Sequence, residues 1–255
     1  MRTDHGHHGV ERVDRVLDFV GRAAMPPRFS QIVAATGIPS STVADLLAQL
    51  RRHGYVHREE NVYRLGRRLQ VLALVAGMNP AAPISHEQLT RLNEVAECPL
   101  ALAVLIGVDV LYLDIAGPGV SAEHQAIADR LEPRPALRTA AGRLLVATAD
   151  RERRSTILRD VALSDPESVT AFLRERPTIL RAQLARSDGL ADPDIQAIAV
   201  PVLCSTDVPA AIVLTGPRSV PGAPRASVAL ETAAARVLAE QRAWGWPKHP
   251  NDRAH

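Results

Sequence analysis

The sequence predicts an α+β fold class, with a small, mainly helical N-terminal domain followed by a larger domain of mixed helices and strands. The chain has 255 residues, more than the usual size of one domain, about 100 to 200 residues. Pro80 and Pro83 interrupt a helical pattern and indicate the boundary between the domains. The charge changes there too, because residues 1–80 carry 11 Arg against 7 acidic residues, whereas the remainder carries 19 basic against 21 acidic residues.

The N-terminal domain is predicted to begin with three helices. Apolar residues at helical spacing predict the first helix over 10–20. Ser30 is expected to cap a short second helix that ends at Gly37, where glycine permits a tight turn. A third apolar stripe predicts a helix from Ser40 up to Gly54. The second and third helices have the proportions of a helix-turn-helix unit.

A short hairpin and a connecting helix follow. Alternating residues on either side of Glu59-Glu60-Asn61 predict two short strands, the candidate wing of a DNA-binding domain. Residues 67–78 again show helical spacing and predict a helix that joins the two domains and carries a signal between them.

The C-terminal domain is predicted to be an antiparallel sheet with flanking helices. The predicted strands cover 100–106, 110–115, 198–203 and 210–215. The predicted helices cover 86–96, 140–149, 151–161 and 227–243, with one or two more over 169–186.

One stretch of the N-terminal domain is specific enough to indicate a family. Residues 38–50 read Ile-Pro-Ser-Ser-Thr-Val-Ala-Asp-Leu-Leu-Ala-Gln-Leu, and Gly54-Tyr55-Val56 and Tyr63-Arg64-Leu65-Gly66 follow. This stretch resembles the head of IclR-family regulators, in which a Pro-x-Ser-Thr-Val recognition helix leads into a Gly-Tyr-Val turn and a wing that ends in Tyr-Arg-Leu-Gly. The resemblance implies a transcriptional regulator that binds a palindromic operator in double-stranded DNA as a homodimer or homotetramer.

The residue types of the third helix suit that role. A recognition helix needs small hydrogen-bonding residues in its first turn to approach base edges, and arginines around it to contact phosphates. Taken singly, these residues also fit a helix cap with solvated arginines; the ordered set with its wing favours DNA. The candidate DNA-binding residues are Ser40, Ser41, Thr42, Ala44, Asp45, Arg51, Arg52, Arg58 and Arg64, with Arg67 and Arg68 as further phosphate contacts.

Three positions depart from the family pattern. Family members commonly carry Lys or Arg where Ser40 stands and a His-Arg pair where Ala44-Asp45 stand. Asp45 would either accept a hydrogen bond from a cytosine amino group or weaken DNA binding. We therefore expect a shifted operator preference or a low affinity. The alternative is a degenerate regulator that acts by protein-protein contacts without sequence-specific DNA binding.

The second domain carries further resemblances. Residues 135–147 are similar to the family's Leu-His-Ala-Thr-Ala-x-Gly-Lys-Ala-Leu-Leu segment, and residues 197–202 and 211–217 are similar to two of its strands. Together they imply a GAF-like effector-binding domain. The implied organisation is a disordered tail over 1–9, a winged helix-turn-helix domain over 10–66, a linker helix and linker over 67–83, the effector-binding domain over 84–243 and a disordered tail over 244–255.

The effector site is expected around the start of one helix of this domain. Backbone amides there can hold a carboxylate, although the same residues also fit the start of an ordinary helix without a ligand. Polar residues that are common in family pockets are replaced here, and the family's acidic residue has no secure counterpart among Asp188, Asp192 and Asp194. We expect a small, rather apolar organic acid, with a vestigial pocket as the alternative. The candidate effector-binding residues are Thr139, Ala140, Ala141, Gly142, Ala197, Val213 and Thr215.

Composition argues against several other classes. Aromatic residues make up only 3% of the chain, which disfavours a base-stacking sheet for single-stranded nucleic acid. Cys98 and Cys204 are far apart, so neither a disulfide framework nor a zinc site is supported, and a reducing cytoplasm is expected. The longest apolar run, 69–78, is too short for a membrane span.

No enzyme signature is present in the sequence. The chain lacks a Gly-x-Ser-x-Gly elbow, a phosphate-binding glycine loop and a histidine-rich metal helix. His5, His7 and His8 lie at the N-terminus and are better explained by a mobile tail than by a metal site. We expect neither catalysis nor a metal or cofactor.

Overall fold

The computed structural model of this protein describes residues 8–75, 83–118, 120, 122–203, 209–218 and 225–244. Internal contacts divide the chain into two compact units, residues 1–80 and 81–255. The expected tails lie mostly outside the described residues, as do Cys204 and residues 76–82 of the expected linker region. Among the described helices, none is long and apolar enough to cross a membrane.

The first unit contains the three expected helices, α1 (His8–Arg22), α2 (Phe29–Thr36) and α3 (Ser40–Arg52). α1 is longer than predicted at both ends, and its first two residues were assigned to the tail. The N-cap of α2 is Arg28 rather than Ser30, because the Arg28 amide donates to Gln31 Oε1 at 2.8 Å. Gly37 ends α2 in the left-handed region, with φ of 65°, as the sequence predicts.

The hairpin predicted as a wing is present. β1 (Val56–Glu59) and β2 (Val62–Leu65) pair antiparallel. The chain before α2 extends this small sheet, since the Tyr63 amide donates to Pro27 O at 2.9 Å and Arg28 bridges to Val62. Glycine is required after β2, because a Cβ on Gly66 would lie 2.1 Å from Gly54 O.

A fourth helix follows the hairpin. α4 (Arg68–Val75) follows the wing, and the last residues of the predicted helix 67–78 lie outside the described residues. Four large apolar side chains of α4 are exposed, namely Leu69, Val71, Leu72 and Val75.

One apolar core holds the first unit together. The buried core consists of Val16, Val20, Ile32, Ile38, Val43, Leu47, Leu50, Val56 and Tyr63.

The second unit is built on a six-stranded antiparallel sheet of order β5-β4-β3-β8-β7-β6. The strands are β3 (Leu100–Ile106), β4 (Asp109–Ala116), β5 (Arg134–Pro135), β6 (Ala185–Asp188), β7 (Ile195–Pro201) and β8 (Ala210–Pro217).

Helices cover both faces of this sheet. Along β3, Ala101, Ala103 and Leu105 belong to one apolar cluster and Leu100, Leu102 and Val104 to another, as the alternation of side chains across a strand requires. The helices are α5 (His86–Ala96), α6 (Ala122–Asp129), a 3₁₀ turn (Ala136–Arg138), α7 (Ala140–Thr148), α8 (Arg151–Ala162), α9 (Pro166–Ala182) and α10 (Arg225–Ala243).

Three elements differ from the sequence-based expectation. The predicted helix 169–186 ends at Ala182, where Gln183 adopts a left-handed φ of 48°, and residues 185–188 form strand β6 instead. α6 and β5 were not predicted. The fold class is nevertheless the predicted one, an N-terminal helix-turn-helix domain followed by an α+β domain with helices on an antiparallel sheet.

α7 and α9 are joined by a buried ion pair. Arg143 on α7 is only 2% exposed, and its Nη2 lies 2.5 Å from Glu175 Oε2 on α9, whose side chain is 54% exposed. The angle of this contact is outside hydrogen-bond geometry, and Arg143 Nε also has no hydrogen-bond partner among the described residues. Glu175 therefore supplies the main compensation for a buried positive charge.

Candidate DNA interface and effector pocket

The outer face of α3 is polar and exposed. Val43, Leu47 and Leu50 turn into the core, so the opposite side of the helix is left to solvent. Of the predicted DNA-binding residues on this helix, Ser40, Ser41, Ala44 and Asp45 are exposed, whereas Thr42 is partly buried; Arg51 and Arg52 are exposed in the last turn.

A cleft of about 560 Å³ separates the start of α2, the middle of α3 and the wing. Ala44 and Arg51 line it from α3, opposite the N-terminus of α2, where unpaired amides and the helix dipole favour an anion. Arg28 and Asn61 also line the cleft and were not predicted. Asn61 lies three positions after the predicted Arg58, which was its signal in the sequence, whereas Arg28 had no such signal. The full lining is Arg28, Phe29, Ser30, Ala44, Leu47, Ala48, Arg51, Arg58, Asn61 and Tyr63.

The predicted arginines are not equivalent. Arg51 and Arg52 have no ion pair with any described residue. Arg64 lies 3.5 Å from Glu59, and both side chains are more than half exposed. Arg58 is held by the wing itself, since Nε donates to Glu60 O at 2.9 Å and Nη2 to Asn61 Oδ1 at 2.7 Å, with the Tyr63 ring below. Arg67 and Arg68 are exposed at the start of α4.

Asp45 is an exposed carboxylate on this otherwise uncharged part of α3. No ion pair of Asp45 with a described residue is found. Its negative charge therefore stands uncompensated on the outer face of the helix.

The second unit contains a cavity of about 660 Å³ beside the sheet. Of the predicted effector-binding residues, Thr139, Ala140, Ala197, Val213 and Thr215 line it. Ala141 and Gly142 do not line the cavity but are buried in the helix packing. Apolar residues dominate the wall, among them Leu100, Ile115, Val120, Ile127, Ile195 and Leu230.

At the start of α7, one backbone amide already has a hydrogen-bond partner within the protein. Thr139 is its N-cap, and its Oγ1 accepts from the Gly142 amide at 3.0 Å while donating to Ala136 O at 3.2 Å. Gly142 also packs directly on the preceding turn, where a Cβ would lie 2.2 Å from Ala136 O. One of the amides expected to hold the effector is thus already bonded, and only the first residues of α7 reach the cavity.

Arg134 and Tyr112 are polar lining residues that the sequence did not predict. Arg134 on β5 lines the cavity, and its Nη2 donates to Ala191 O, another lining residue, at 2.9 Å. Tyr112 on β4 lines it too, and burial raises the pKa of the Tyr112 hydroxyl to about 12 against the opposing positive charge of Arg134. The alternation of Val110 and Tyr112 was the only sequence signal, since it turns both side chains toward one face.

Several other polar lining groups form hydrogen bonds within the protein. Thr215 bonds to Pro99 O, Ser187 donates to Arg138 O, and Gln196 Nε2 donates to Pro217 O. Burial raises the pKa of the Cys98 thiol to about 11, so this lining cysteine stays protonated.

Of the three acidic candidates, two line the cavity and one does not. Asp192 and Asp194 line the cavity, with Asp194 exposed and the Asp192 carboxylate accepting the Asp194 amide at 3.0 Å. Asp188 does not line it, because it pairs with Arg218 at 2.8 Å.

The helix pair, the wing and the exposed polar face of α3 define the first unit as a winged helix-turn-helix DNA-binding domain. Residues 9–60 match the model of the IclR helix-turn-helix domain. The first unit therefore matches the IclR type of helix-turn-helix domain, and the chain is similar over most of its length to transcriptional regulators of that family.

Individual relatives agree with this assignment. The chain is 27% identical over 203 residues to the HTH-type transcriptional regulator XynR of Escherichia coli (strain K12), with 76% of this chain and 79% of XynR covered. A solved putative IclR transcriptional regulator from a Silicibacter species is 22% identical, with a TM-score of 0.66 over 94% of this chain and 98% of that one. An IclR homolog from Microbacterium hydrocarbonoxydans, solved in complex with 4-hydroxybenzoate, is 24% identical, with a TM-score of 0.59 over 92% and 99%. These structures confirm the fold.

Proposed function

We propose that the first unit binds a palindromic operator by placing α3 in the major groove, with the wing and the arginines on the flanking phosphates. The observation that carries this proposal is the outer face of α3, whose exposed first turn stands beside a cleft that Arg28, Arg51 and Arg58 line. Small side chains at the start of α3 allow close approach to base edges, and the arginines supply sequence-independent affinity. As a regulator of transcription, the protein acts where the DNA is, in the cytoplasm.

The active species is proposed to be a homodimer or a homotetramer. A two-fold assembly matches a palindrome, with half-sites about one DNA turn or a multiple apart. Leu69, Val71, Leu72 and Val75 leave α4 with exposed apolar side chains directly after the wing. A second copy of the chain is the proposed occupant of this surface, since two heads must be held together to bind two half-sites.

The second unit is proposed to bind a small organic acid that modulates operator binding. Its support is the apolar cavity of about 660 Å³, a size typical of small-molecule sites. The 4-hydroxybenzoate complex of the Microbacterium protein is compatible with such a ligand.

Selection of genomic DNA fragments by the full-length chain tests the operator proposal. We expect the selected fragments to share a palindromic motif, and light scattering of the complex to give two or four chains for each operator. Binding that is equal on selected and scrambled duplexes at two salt concentrations would favour a regulator that acts through protein contacts.

Arg51→Ala is expected to weaken binding to the operator and to a scrambled duplex by the same factor, several-fold, and to reduce the salt slope by about one. Arg64→Ala should do less, because Arg64 already shares its charge with Glu59. Ser41→Ala should instead change the preference among operator variants. Fluorescence anisotropy at several salt concentrations measures all three, with Arg12→Ala on α1 as the matched control. Equal affinities for wild type, Arg51→Ala and Ser41→Ala would refute this docking.

Asp45→Asn is expected to tighten binding to every duplex, most strongly at low salt, because it removes an unpaired negative charge from the face that approaches a polyanion. If Asp45 instead accepts from a cytosine amino group, the same change weakens binding by about 1 to 3 kcal/mol only at sites that carry that cytosine. Titration against the operator and a scrambled duplex separates the two results. An unchanged affinity for both duplexes would remove any DNA-facing role for Asp45.

A further inference from the structure

We propose that Arg134 and Tyr112 form the anion anchor of the cavity in the second unit, and that this anchor selects a monocarboxylate with an apolar body. The inference rests on the proposed function of this cavity as an effector site. It assigns the ligand's charge to two side chains at the β4–β5 edge of the sheet, rather than to the backbone amides at the start of α7.

Arg134 has unused hydrogen-bonding capacity. A guanidinium carries five N–H donors and is always charged in proteins. Arg134 is partly buried. Its one hydrogen bond to a described residue goes to Ala191 O at 2.9 Å, and no carboxylate of a described residue lies within 4.0 Å of it. A cation at an apolar wall without a counter-ion is costly, so an anionic ligand is the group that would compensate it.

Tyr112 supplies a second donor in the same place. Its ring packs against the apolar cluster beneath the sheet, and its hydroxyl has no hydrogen-bond partner among the described residues. Burial raises the pKa of Tyr112 to about 12, so the hydroxyl remains a donor throughout the physiological pH range. A carboxylate oxygen is an acceptor that suits both Arg134 and Tyr112.

The start of α7 is a weaker anchor than the sequence indicates. Thr139 Oγ1 occupies the Gly142 amide at 3.0 Å, and neither Ala141 nor Gly142 lines the cavity. A formal charge on Arg134 also attracts a carboxylate more strongly than the partial charge of a helix N-terminus does.

The rest of the cavity limits the ligand to one carboxylate. Leu100, Ile115 and Val213 form apolar wall, which favours a hydrocarbon or aromatic body. Asp194 is an exposed carboxylate that also lines the cavity, and Glu97 lines it while lying 3.3 Å from Arg236. A second carboxylate on the ligand would meet these negative groups without a second cation among the described lining residues.

Calorimetric titration of the full-length chain with matched acids and amides tests the anchor. The probes are benzoate with benzamide, hexanoate with hexanamide, and the dicarboxylate terephthalate. At least one monocarboxylate is expected to bind wild type about tenfold or more tightly than its amide, since hydrogen bonds to charged groups are the strong ones. Terephthalate should bind more weakly than benzoate.

Arg134→Gln is expected to abolish the preference for the acid while leaving the affinity for the amide unchanged. Tyr112→Phe should lower the affinity for the acid several-fold. Arg159→Gln, a change of an exposed arginine on α8 away from the cavity, is the matched control and should bind as wild type does. Thermal melts of each variant, followed by circular dichroism, confirm that the second unit is folded.

Three results would overturn the proposal: no acid binds wild type more tightly than its amide, Arg134→Gln retains the preference, or terephthalate binds more tightly than benzoate. Operator affinity without ligand is measured on the same preparations, and the Arg159→Gln control should leave it at the wild-type value. If wild type without ligand does not bind the operator, this result contradicts the proposed function, while the ligand titrations still decide whether the anchor is correct.

Discussion

Replacing Gly142 by alanine is expected to lower the free energy of unfolding of the second unit by about 3 kcal/mol. α7 meets the preceding 3₁₀ turn at this residue, and an added Cβ would lie 2.2 Å from Ala136 O and 2.5 Å from Ala136 Cα. Both neighbours are backbone atoms, so no side-chain rotation can relieve the clash. The turn must move, and the Gly142–Thr139 hydrogen bond at the rim of the cavity moves with it.

Chemical denaturation of the full-length chain measures this effect. Gly216→Ala is the matched control, because a Cβ there would meet the nearest atoms of Leu230 at an ordinary contact distance of 3.6 Å. The control should change stability by less than about 0.5 kcal/mol. Equal stabilities of the Gly142 and Gly216 variants would show that the close approach of α7 to the turn is not required.

Glu175→Ala is expected to destabilise the same unit by about 2 kcal/mol. It leaves Arg143, only 2% exposed, without its counter-ion, and the loss of one partner of a buried ion pair costs about 3 to 5 kcal/mol. We expect less than that range because water reaches the half-exposed Glu175.

The double variant Arg143→Met, Glu175→Ala distinguishes a charge effect from a loss of packing. It should recover most of the stability, since an apolar side chain of similar length can replace a buried ion pair. Glu94→Ala on α5 is the matched control for loss of an exposed glutamate. If the double variant is less stable than Glu175→Ala alone, the Arg143 side chain stabilises the fold through contacts other than its ion pair with Glu175.

Several predictions from the sequence are confirmed where one local pattern is sufficient. The helix predicted over 86–96 has these bounds because Ser85 and Gln88 form a reciprocal cap at its start. The strand predicted over 100–106 is likewise β3, since a continuous apolar run of that length fits a strand buried on both faces. α3 and the wing followed from an apolar stripe and from alternation around Glu59-Glu60-Asn61.

Other elements were wrong or missing because their local signals are weak. β6 reads Ala-Arg-Ser-Asp and is held as a strand by its pairing with β7, which no local pattern reveals. The two-residue strand β5 exists only through its pairing with β4, and that pairing places Arg134 at the cavity. The cap of α2 shifted from Ser30 to Arg28 because the Gln31 side chain reaches back to the Arg28 amide.

The sequence by itself determined the resemblance to IclR-type regulators, the helix-turn-helix unit and the arginines proposed to contact DNA, since these depend on residue order and helical periodicity. Only the tertiary structure decided how those residues are used. Arg58 forms hydrogen bonds within the wing, whereas Arg51 has no ion pair with a described residue. Ala141 and Gly142 do not line the cavity, and Arg134 lies near Tyr112 on the neighbouring strand. The physical reason is that burial and charge pairing depend on distances between residues far apart in the chain, whereas periodicity depends only on neighbours.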